Sequence, residues 1–209
     1  MKNFIEGYVN ALTSEECEMI IDYMNEEVVL EPGKVKEPNT GEDIVHKEMK
    51  DSSDVIMNLE EEGEVNEIIL TSLTKCISLY TKKHPQMNNI DFWQVDPFYN
   101  LQKYEPGQGF HETHCENASK VTSHRVLAWM YYLNTVKDGG GTQFDNYEIA
   151  VEAVEGRCLI WPAYWTHFHH GITSHTQTKY IATGWLKFHD HHFDFGVAES
   201  LGLNPTRIQ

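Results

Sequence analysis

A histidine and a glutamate two positions apart end a glycine-rich stretch near the middle of the chain. The stretch covers residues 104–116 and closes with His114-Cys115-Glu116. On a β-strand, residues two apart place their side chains on one face, so this imidazole and this carboxylate would point to the same place. Such a pair can bind one metal ion, and a further ligand must then come from elsewhere in the chain.

A second cluster of histidines, His167-Phe168-His169-His170, lies in an apolar stretch that begins at Leu159. Two histidines and one carboxylate are the ligand set of non-haem Fe(II) oxygenases, and this set leaves coordination positions open on the metal. Alternation along a strand leaves the choice of histidine open, because His167 and His169 share a face while His170 points the other way. We therefore predict a metal site that joins both clusters.

Composition argues against several classes of partner. The 209 residues include 16 Lys and Arg against 32 Asp and Glu, which gives a formal net charge of −16. With this excess of acidic residues we expect no basic surface large enough to bind a phosphate backbone, and therefore no binding to nucleic acid or to a membrane. No apolar run is long enough to span a bilayer, and residues 1–7 lack the apolar core of a secretion signal. Four cysteines without a C-x-x-C pair are typical of reduced thiols, so we expect a soluble cytoplasmic protein.

The first ninety residues are expected to support a site that lies elsewhere. Thr13-Ser14-Glu15-Glu16 is a capping box, and the apolar spacing that follows it predicts a helix over about residues 14–27. A second apolar stripe, from Val65 to Tyr80, predicts another helix. Residues 31–43 carry two prolines and two glycines among charged residues and are expected to form an exposed loop, and residues 51–59 a marginal strand.

From about Asp91 onward, short apolar and aromatic runs alternate with Gly, Asn and Pro, which is typical of an antiparallel sandwich or barrel. The predicted class is α+β, mainly β, in a single domain. We expect residues 1–90 to give the helices and a loop, 91–190 the sheet core with the metal site, and 191–209 a tail. The predicted strands of the core cover residues 95–103, 110–116, 125–133, 142–144, 149–151, 157–161, 167–171 and 179–188.

Other aromatic residues and histidines of the second half are expected to be structural. Large indoles in apolar runs are predicted to pack in the core or at its rim, and these are Trp129, Trp161, Trp165 and Trp185. The histidines after the last predicted strand, His189, His191 and His192, are expected to be solvated.

The order of elements over residues 104–188 resembles the prolyl 4-hydroxylase-like branch of the 2-oxoglutarate and Fe(II)-dependent dioxygenases. In that family a Tyr-x-x-Gly segment precedes His-x-Asp, a Tyr-Leu-Asn strand, a Gly-Gly-x-Thr-x-Phe turn, a distal histidine and a basic residue about ten positions later. This sequence departs from the pattern by one extra residue before the first histidine and by Glu where Asp is usual. The matching residues here are Tyr104, Gly107, His114, Glu116, Tyr132-Leu133-Asn134, Gly140-Gly141-Thr142-Gln143-Phe144, His169 and Lys179.

The resemblance implies a double-stranded β-helix, or jelly roll, with two N-terminal helices packed on one sheet. It also implies that Fe(II) is held by His114, Glu116 and His169, with His170 as the alternative to His169. Glutamate is one methylene longer than aspartate, so either the metal or the angle of the carboxylate must adjust to it.

Lys179 opens an apolar strand, where a lysine must either reach water or pair with an anion. The resemblance implies that this anion is the distal carboxylate of 2-oxoglutarate, and that Thr142, Tyr132 and Tyr104 lie around it. The implied reaction uses O2 and 2-oxoglutarate to hydroxylate a C–H bond. A prolyl residue of a peptide or protein, another side chain and a free small molecule are all compatible substrates. The alternative is a jelly-roll module that binds a metal or ligand without turnover, for which the altered carboxylate is the best argument.

Overall fold

The computed structural model describes residues 2–37 and 40–189, and its main elements are two sheets and two helices. The helices are α1 (Ser14–Asp22) and α2 (Glu64–Lys83), and shorter helical turns occur at Tyr23–Glu27, Pro85–Asn89, Asp145–Tyr147 and Trp165–His167. The strands are β1 (Glu6–Tyr8), β2 (Glu31–Pro32), β3 (Val35–Lys36), β4 (Asp43–Ile44), β5 (Lys50–Asp51), β6 (Ser53–Asn58), β7 (Trp93–Tyr104), β8 (Gly109–Phe110), β9 (Arg125–Tyr132), β10 (Thr142–Phe144), β11 (Ile149–Val151), β12 (Cys158–Pro162), β13 (His169–Gly171) and β14 (Lys179–Phe188).

The larger sheet has seven antiparallel strands in the order β1, β12, β9, β14, β7, β6 and β2. A smaller sheet, in the order β11, β10 and β13, packs against one face of it. Side chains from both sheets, among them Tyr132, Phe144, Trp161 and Ile181, form one buried cluster between the two layers. This two-layer arrangement is the predicted jelly roll.

The other face of the larger sheet is covered by α1 and α2. Ile20 of α1 and Ile69 and Leu73 of α2 are buried in a second cluster together with Trp129 and Tyr131 of β9. Because both faces of β9 are covered, successive residues from Leu127 to Tyr132 enter the two clusters in turn, and the strand is apolar from Val126 onward. The helices therefore cover one face of the larger sheet, and the site lies at the opposite face.

The predicted fold class is confirmed, and so are both helices. The capping box forms as predicted at the start of α1, where the Thr13 amide donates to Glu16 Oε2 at 2.8 Å and the Glu16 amide donates to Thr13 Oγ1 at 3.2 Å. Seven of the eight predicted core strands correspond to a strand of the larger or the smaller sheet.

The predicted strand over residues 110–116 is wrong. β8 ends at Phe110, and the next paired residue is His114, which forms an isolated antiparallel bridge with His169. The cause is a change of partner along the chain, because the amides of His111 and Glu112 both donate to the carbonyl of Met49. The chain then leaves Met49 and pairs with β13, so no continuous ladder can form.

The prediction of an exposed loop over residues 31–43 is also partly wrong. β2 forms the edge of the larger sheet by pairing with β6, and β3 pairs with β4 in a small hairpin. The Gly33 amide donates to the carbonyl of Ser52 at 2.8 Å. Backbone hydrogen bonds of this kind do not require an apolar sequence, so the charged composition of the segment concealed them.

Some expectations stay predictions. The assignment of the whole chain to a single domain is not decided by these observations, and the expected tail lies outside the described residues together with His191 and His192. His189 is described, and its ring packs edge-on against Phe92. Within residues 2–37 and 40–189, no helix has both the length and the apolar character that crossing a membrane requires.

Candidate active site

Three side chains with metal-binding atoms converge at the mouth between the two sheets. The ligand atoms of His114, Glu116 and His169 all lie within 4.8 Å of one another. Glu116 Oε1 is 3.3 Å from His169 Nε2 and 3.7 Å from His114 Nε2. Bonds of about 2.1 Å at right angles put neighbouring ligand atoms about 3 Å apart, so a small closure of this triangle would hold one ion.

The backbone fixes the two histidines relative to each other. His114 and His169 are paired in an antiparallel bridge, and each amide donates to the carbonyl of the other at 2.9 Å. A directly paired position brings the side chains of both residues to one side of the ladder. The centres of the two imidazole rings are consequently 4.4 Å apart.

Each of these imidazoles is also oriented through its second nitrogen. His114 Nδ1 lies 2.8 Å from the carbonyl of Glu112, and His169 Nδ1 lies 2.9 Å from the carbonyl of His167. A carbonyl can only accept, so each Nδ1 carries the proton and each Nε2 presents a lone pair towards Glu116. This is how metal-binding histidines are commonly held in proteins.

At neutral pH the histidine and glutamate of this group are in the protonation states that bind a metal ion. Burial, together with the nearby His169, lowers the pKa of His114 to about 4, so this imidazole is neutral at pH 7. Burial alone would raise the pKa of Glu116, but the nearby His169, His114 and Arg125 side chains hold this pKa well below its usual range. Neutral imidazole and ionised carboxylate are the forms that bind metal ions.

The other two histidines of the second cluster do not reach this group. His170 points to the opposite side of β13, where its Nδ1 lies 3.2 Å from Asp145 Oδ1. His167 lies in the short helical turn, and its Nε2 is 2.6 Å from the carbonyl of Asn3. Of the alternatives that the sequence left open, the structure brings His169 alone to the converging side chains.

Lys179, the first residue of β14, is 8 % exposed and lies opposite Tyr104 of β7. Its Nζ is 5.2 Å from the centre of the Tyr104 ring and 5.8 Å from that of Tyr132. Among residues 2–37 and 40–189, no carboxylate and no hydrogen-bond acceptor pairs with this ammonium group. Burial lowers the pKa of Lys179 to about 8, so at pH 7 the pocket holds a cation without an anion.

Two hydroxyl groups adjoin this cation. The Tyr132 hydroxyl and Thr142 Oγ1 are 2.7 Å apart, and both residues are buried. Gly171, which pairs with Thr142, has no side chain beside the ammonium group of Lys179. A Cβ added at Gly171 would lie 3.9 Å from Lys179 Nζ. The Tyr104 hydroxyl, in contrast, donates to Gln102 Oε1 at 2.7 Å, so Tyr104 offers this pocket only its ring.

Two residues that contact the converging group were not predicted. Trp185 Nε1 donates to Glu116 Oε2 at 2.7 Å, and Arg125 Nη1 lies 3.6 Å from the same oxygen. Trp129 and Trp161 are buried and pack in the core as expected, whereas Trp165 is 70 % exposed. Period-two alternation along β14 puts Trp185 on the same face as Lys179, and this signal could have identified it.

The ligand set and the unpaired ammonium together fit an Fe(II) ion beside an organic dianion. Two imidazoles and a carboxylate on one side of an ion are suited to Fe(II) and leave positions free. A buried cation without a counter-ion is costly, and a carboxylate bound beside it would remove that cost.

Comparison with known proteins leads to the same chemistry. Residues 99–187 match the family model of the 2OG-Fe(II) oxygenase superfamily. No curated protein matches the sequence.

Solved structures of prolyl hydroxylases share the fold. The viral collagen prolyl hydroxylase of Paramecium Bursaria Chlorella virus-1, in its 2OG complex, has a TM-score of 0.64 at 16 % identity, over 89 % of this chain and 97 % of that one. A Pseudomonas putida prolyl-4-hydroxylase has a TM-score of 0.66 at 14 % identity, over 90 % and 95 %. A Trichoplax adhaerens prolyl hydroxylase, in complex with a hypoxia inducible factor peptide fragment, has a TM-score of 0.65 at 15 % identity, over 89 % and 84 %.

Alanine at His114, Glu116 or His169 is expected to weaken binding of a divalent metal by more than about 100-fold. Loss of an outer partner of a ligand already costs about 10–100-fold, and loss of the ligand itself must cost more. Calorimetric titration with Mn(II) measures the affinity. His170→Ala is the matched control and should bind as the parent does. Weak binding by His170→Ala together with normal binding by His169→Ala would move the third ligand by one residue.

Proposed function

We propose that this chain, which carries a domain of the 2OG-Fe(II) oxygenase superfamily, hydroxylates a prolyl residue in a peptide or protein substrate. The chain is a 2-oxoglutarate- and Fe(II)-dependent dioxygenase, and its substrate is the part that we infer. The observation that carries the assignment of the site is that β13 connects the two groups. His169 belongs to the two-histidine, one-carboxylate group, and Gly171, two residues later on the same strand, lies beside the unpaired cation of Lys179.

His114 Nε2, Glu116 Oε1 and His169 Nε2 are the atoms that would hold Fe(II). With 2-oxoglutarate and O2, this ion supplies the oxidising chemistry, in which one oxygen atom enters a C–H bond and the other enters succinate as CO2 is released. The two backbone carbonyls behind the imidazoles keep both Nε2 lone pairs aimed at the same point. The protein therefore contributes a fixed set of ligands before any ion binds.

Lys179 would bind the distal carboxylate of 2-oxoglutarate. The ammonium group is already buried and unpaired, so an incoming carboxylate meets a donor that has lost most of its water. A hydrogen bond to a charged partner contributes about 1.5–3 kcal/mol. The Tyr132 hydroxyl has two acceptors within reach, Thr142 Oγ1 at 2.7 Å and the carbonyl of Val151 at 3.5 Å. When it donates to the nearer one, the hydroxyl proton of Thr142 is left for the carboxylate.

Aromatic rings surround the ligands and limit the access of water. Phe110 stacks on His114 with 3.8 Å between ring centres, and Trp161 meets His169 edge-on at 5.1 Å. Phe144 lies 5.5 Å from the His169 ring. In such surroundings electrostatic contacts are stronger than in water, and side reactions with solvent are suppressed.

An uncovered face of the larger sheet supports an extended substrate. On β6 and β7, Val55, Met57 and Tyr99 face the helices, so Ile56 and Phe98 face the side of the site. Both side chains are open to solvent, since Ile56 is 71 % and Phe98 52 % exposed. An apolar surface beside the mouth suits a peptide that lies along the sheet, whereas a free small molecule would not need it.

The test is an oxygenase assay with Fe(II), 2-oxoglutarate and a panel of proline-containing peptides, matched to the same peptides with alanine for proline. We expect proline-dependent succinate release and a peptide heavier by one oxygen atom, located on proline by mass spectrometry. Lys179→Met is the matched inactive control. Succinate release that no peptide stimulates, with no oxygen gained by proline, would contradict the prolyl substrate and leave a small-molecule oxygenase.

The affinity for 2-oxoglutarate is expected to fall as pH rises through about 8. The ammonium form of Lys179 binds the dianion, and this form is lost above its pKa of about 8, so the dissociation constant should rise about tenfold for each further pH unit. About one unit below that pH the cation is almost fully present, and from there the affinity should be constant down to about pH 6. Calorimetric titration of the Mn(II)-loaded protein measures this dependence. Lys179→Arg stays charged over the whole range and should bind without the change above pH 8; the same fall in both proteins would locate the titrating group elsewhere.

A further inference from the structure

We infer that Trp185 and Arg125 form a clamp that holds Oε2 of Glu116 away from the metal, so that this glutamate binds the metal through Oε1 alone. The inference rests on the proposed metal site and adds two positioning residues to it. Neither residue touches the place where the ion would lie, and both act through Glu116.

The two oxygens of Glu116 have different partners. Oε1 faces His169 Nε2 at 3.3 Å and His114 Nε2 at 3.7 Å, which is the side of the proposed ion. Oε2 accepts the indole N–H of Trp185 at 2.7 Å. A hydrogen bond of this length to a charged acceptor is strong, and it fixes the rotation of the carboxylate about its last bond.

Arg125 completes the arrangement from the other side. Its Nη1 lies 3.6 Å from Glu116 Oε2 and 3.3 Å from the backbone carbonyl of Glu116, to which it donates. Its guanidinium lies over the indole of Trp185, with 3.5 Å from Cζ to the ring centre. The cation and the indole therefore support each other, and both are oriented before a ligand arrives.

A glutamate needs such support more than an aspartate does. Its side chain has one more rotatable bond, so a free carboxylate could turn both oxygens towards the ion. Three protein ligands leave three positions of an octahedral ion open, and a second oxygen from Glu116 would occupy one of them. Chelation of 2-oxoglutarate and binding of O2 require all three. With the clamp in place, the longer side chain of glutamate would leave these three positions open.

A double-mutant cycle tests this account, with Trp185→Phe, Glu116→Asp and the combination of both. Phenylalanine keeps an aromatic ring and removes the N–H, and the shorter aspartate carboxylate would no longer reach Trp185. We expect Trp185→Phe to weaken the binding of 2-oxoglutarate to the Mn(II)-loaded protein by about 10–100-fold in the parent and by less than about twofold in the Glu116→Asp background, because a second oxygen from Glu116 would take a position that the co-substrate needs. The absorption spectrum of bound Co(II) should change with Trp185→Phe, because an added oxygen ligand alters the coordination number.

Two further variants keep the test informative. Trp165→Phe makes the same chemical change at an exposed tryptophan and should leave the affinity and the spectrum as they are. Arg125→Lys keeps a cation but removes the planar group that stacks on the indole, so it should reproduce a smaller loss that also vanishes with Glu116→Asp. It serves in place of Trp185→Phe if circular dichroism shows that this variant does not fold.

Equal losses in both backgrounds would show that Trp185 acts by packing and would overturn the clamp, as would an unchanged affinity in the parent. Absence of Mn(II) binding by the parent protein itself would overturn the proposed metal site and the clamp with it. Failure of the clamp alone is thus distinguished from failure of the proposed function, because in the former case the parent still binds the ion.

Discussion

The site depends on one short stretch of backbone pairing, the bridge between His114 and His169. Two hydrogen bonds of 2.9 Å join a segment that has just left β8 to the first residue of β13. This contact sets the distance between the two imidazoles, and the sheets on either side hold it in place. Glu116 follows two residues later and is brought to the same point. A small closure of side chains, without movement of the backbone, would then suffice to bind an ion.

The charges of the site are not balanced by the described residues of the protein. The imidazole of His114 is neutral, Glu116 is ionised and shares its charge with Arg125, and Lys179 has no anion among the described residues. A divalent cation at the first group and a dicarboxylate between this group and Lys179, as proposed, would balance both charges. The non-catalytic alternative had only the exchange of Asp for Glu in its favour, and Glu116 nevertheless directs one oxygen at both histidines.

Much of this arrangement could be predicted from the sequence, and the limits have physical causes. The apolar run of β9 and the capping box of α1 are local signals, and both predictions were confirmed. The choice of His169 over His170 could not be made from alternation alone, because it depends on the pairing of β13 with β10, which puts His169 beside Phe144. Alternation could have placed Trp185 on the face of Lys179, but it could not show that the indole reaches Glu116, because a hydrogen bond between residues 69 positions apart is set by the tertiary fold. Arg125 was missed although it lies nine positions from Glu116, because the segment between them forms no regular element whose geometry could be predicted.

We propose that His114, Glu116, His169 and Lys179 belong to one co-substrate site. The most direct test is an anaerobic titration of 2-oxoglutarate into the Fe(II)-loaded protein, followed by visible absorption. We expect a charge-transfer band that needs both components and saturates at one 2-oxoglutarate per chain, and that requires a much higher concentration of 2-oxoglutarate in Lys179→Met. A band that saturates equally well without Lys179, or no band although Fe(II) is bound, would contradict it.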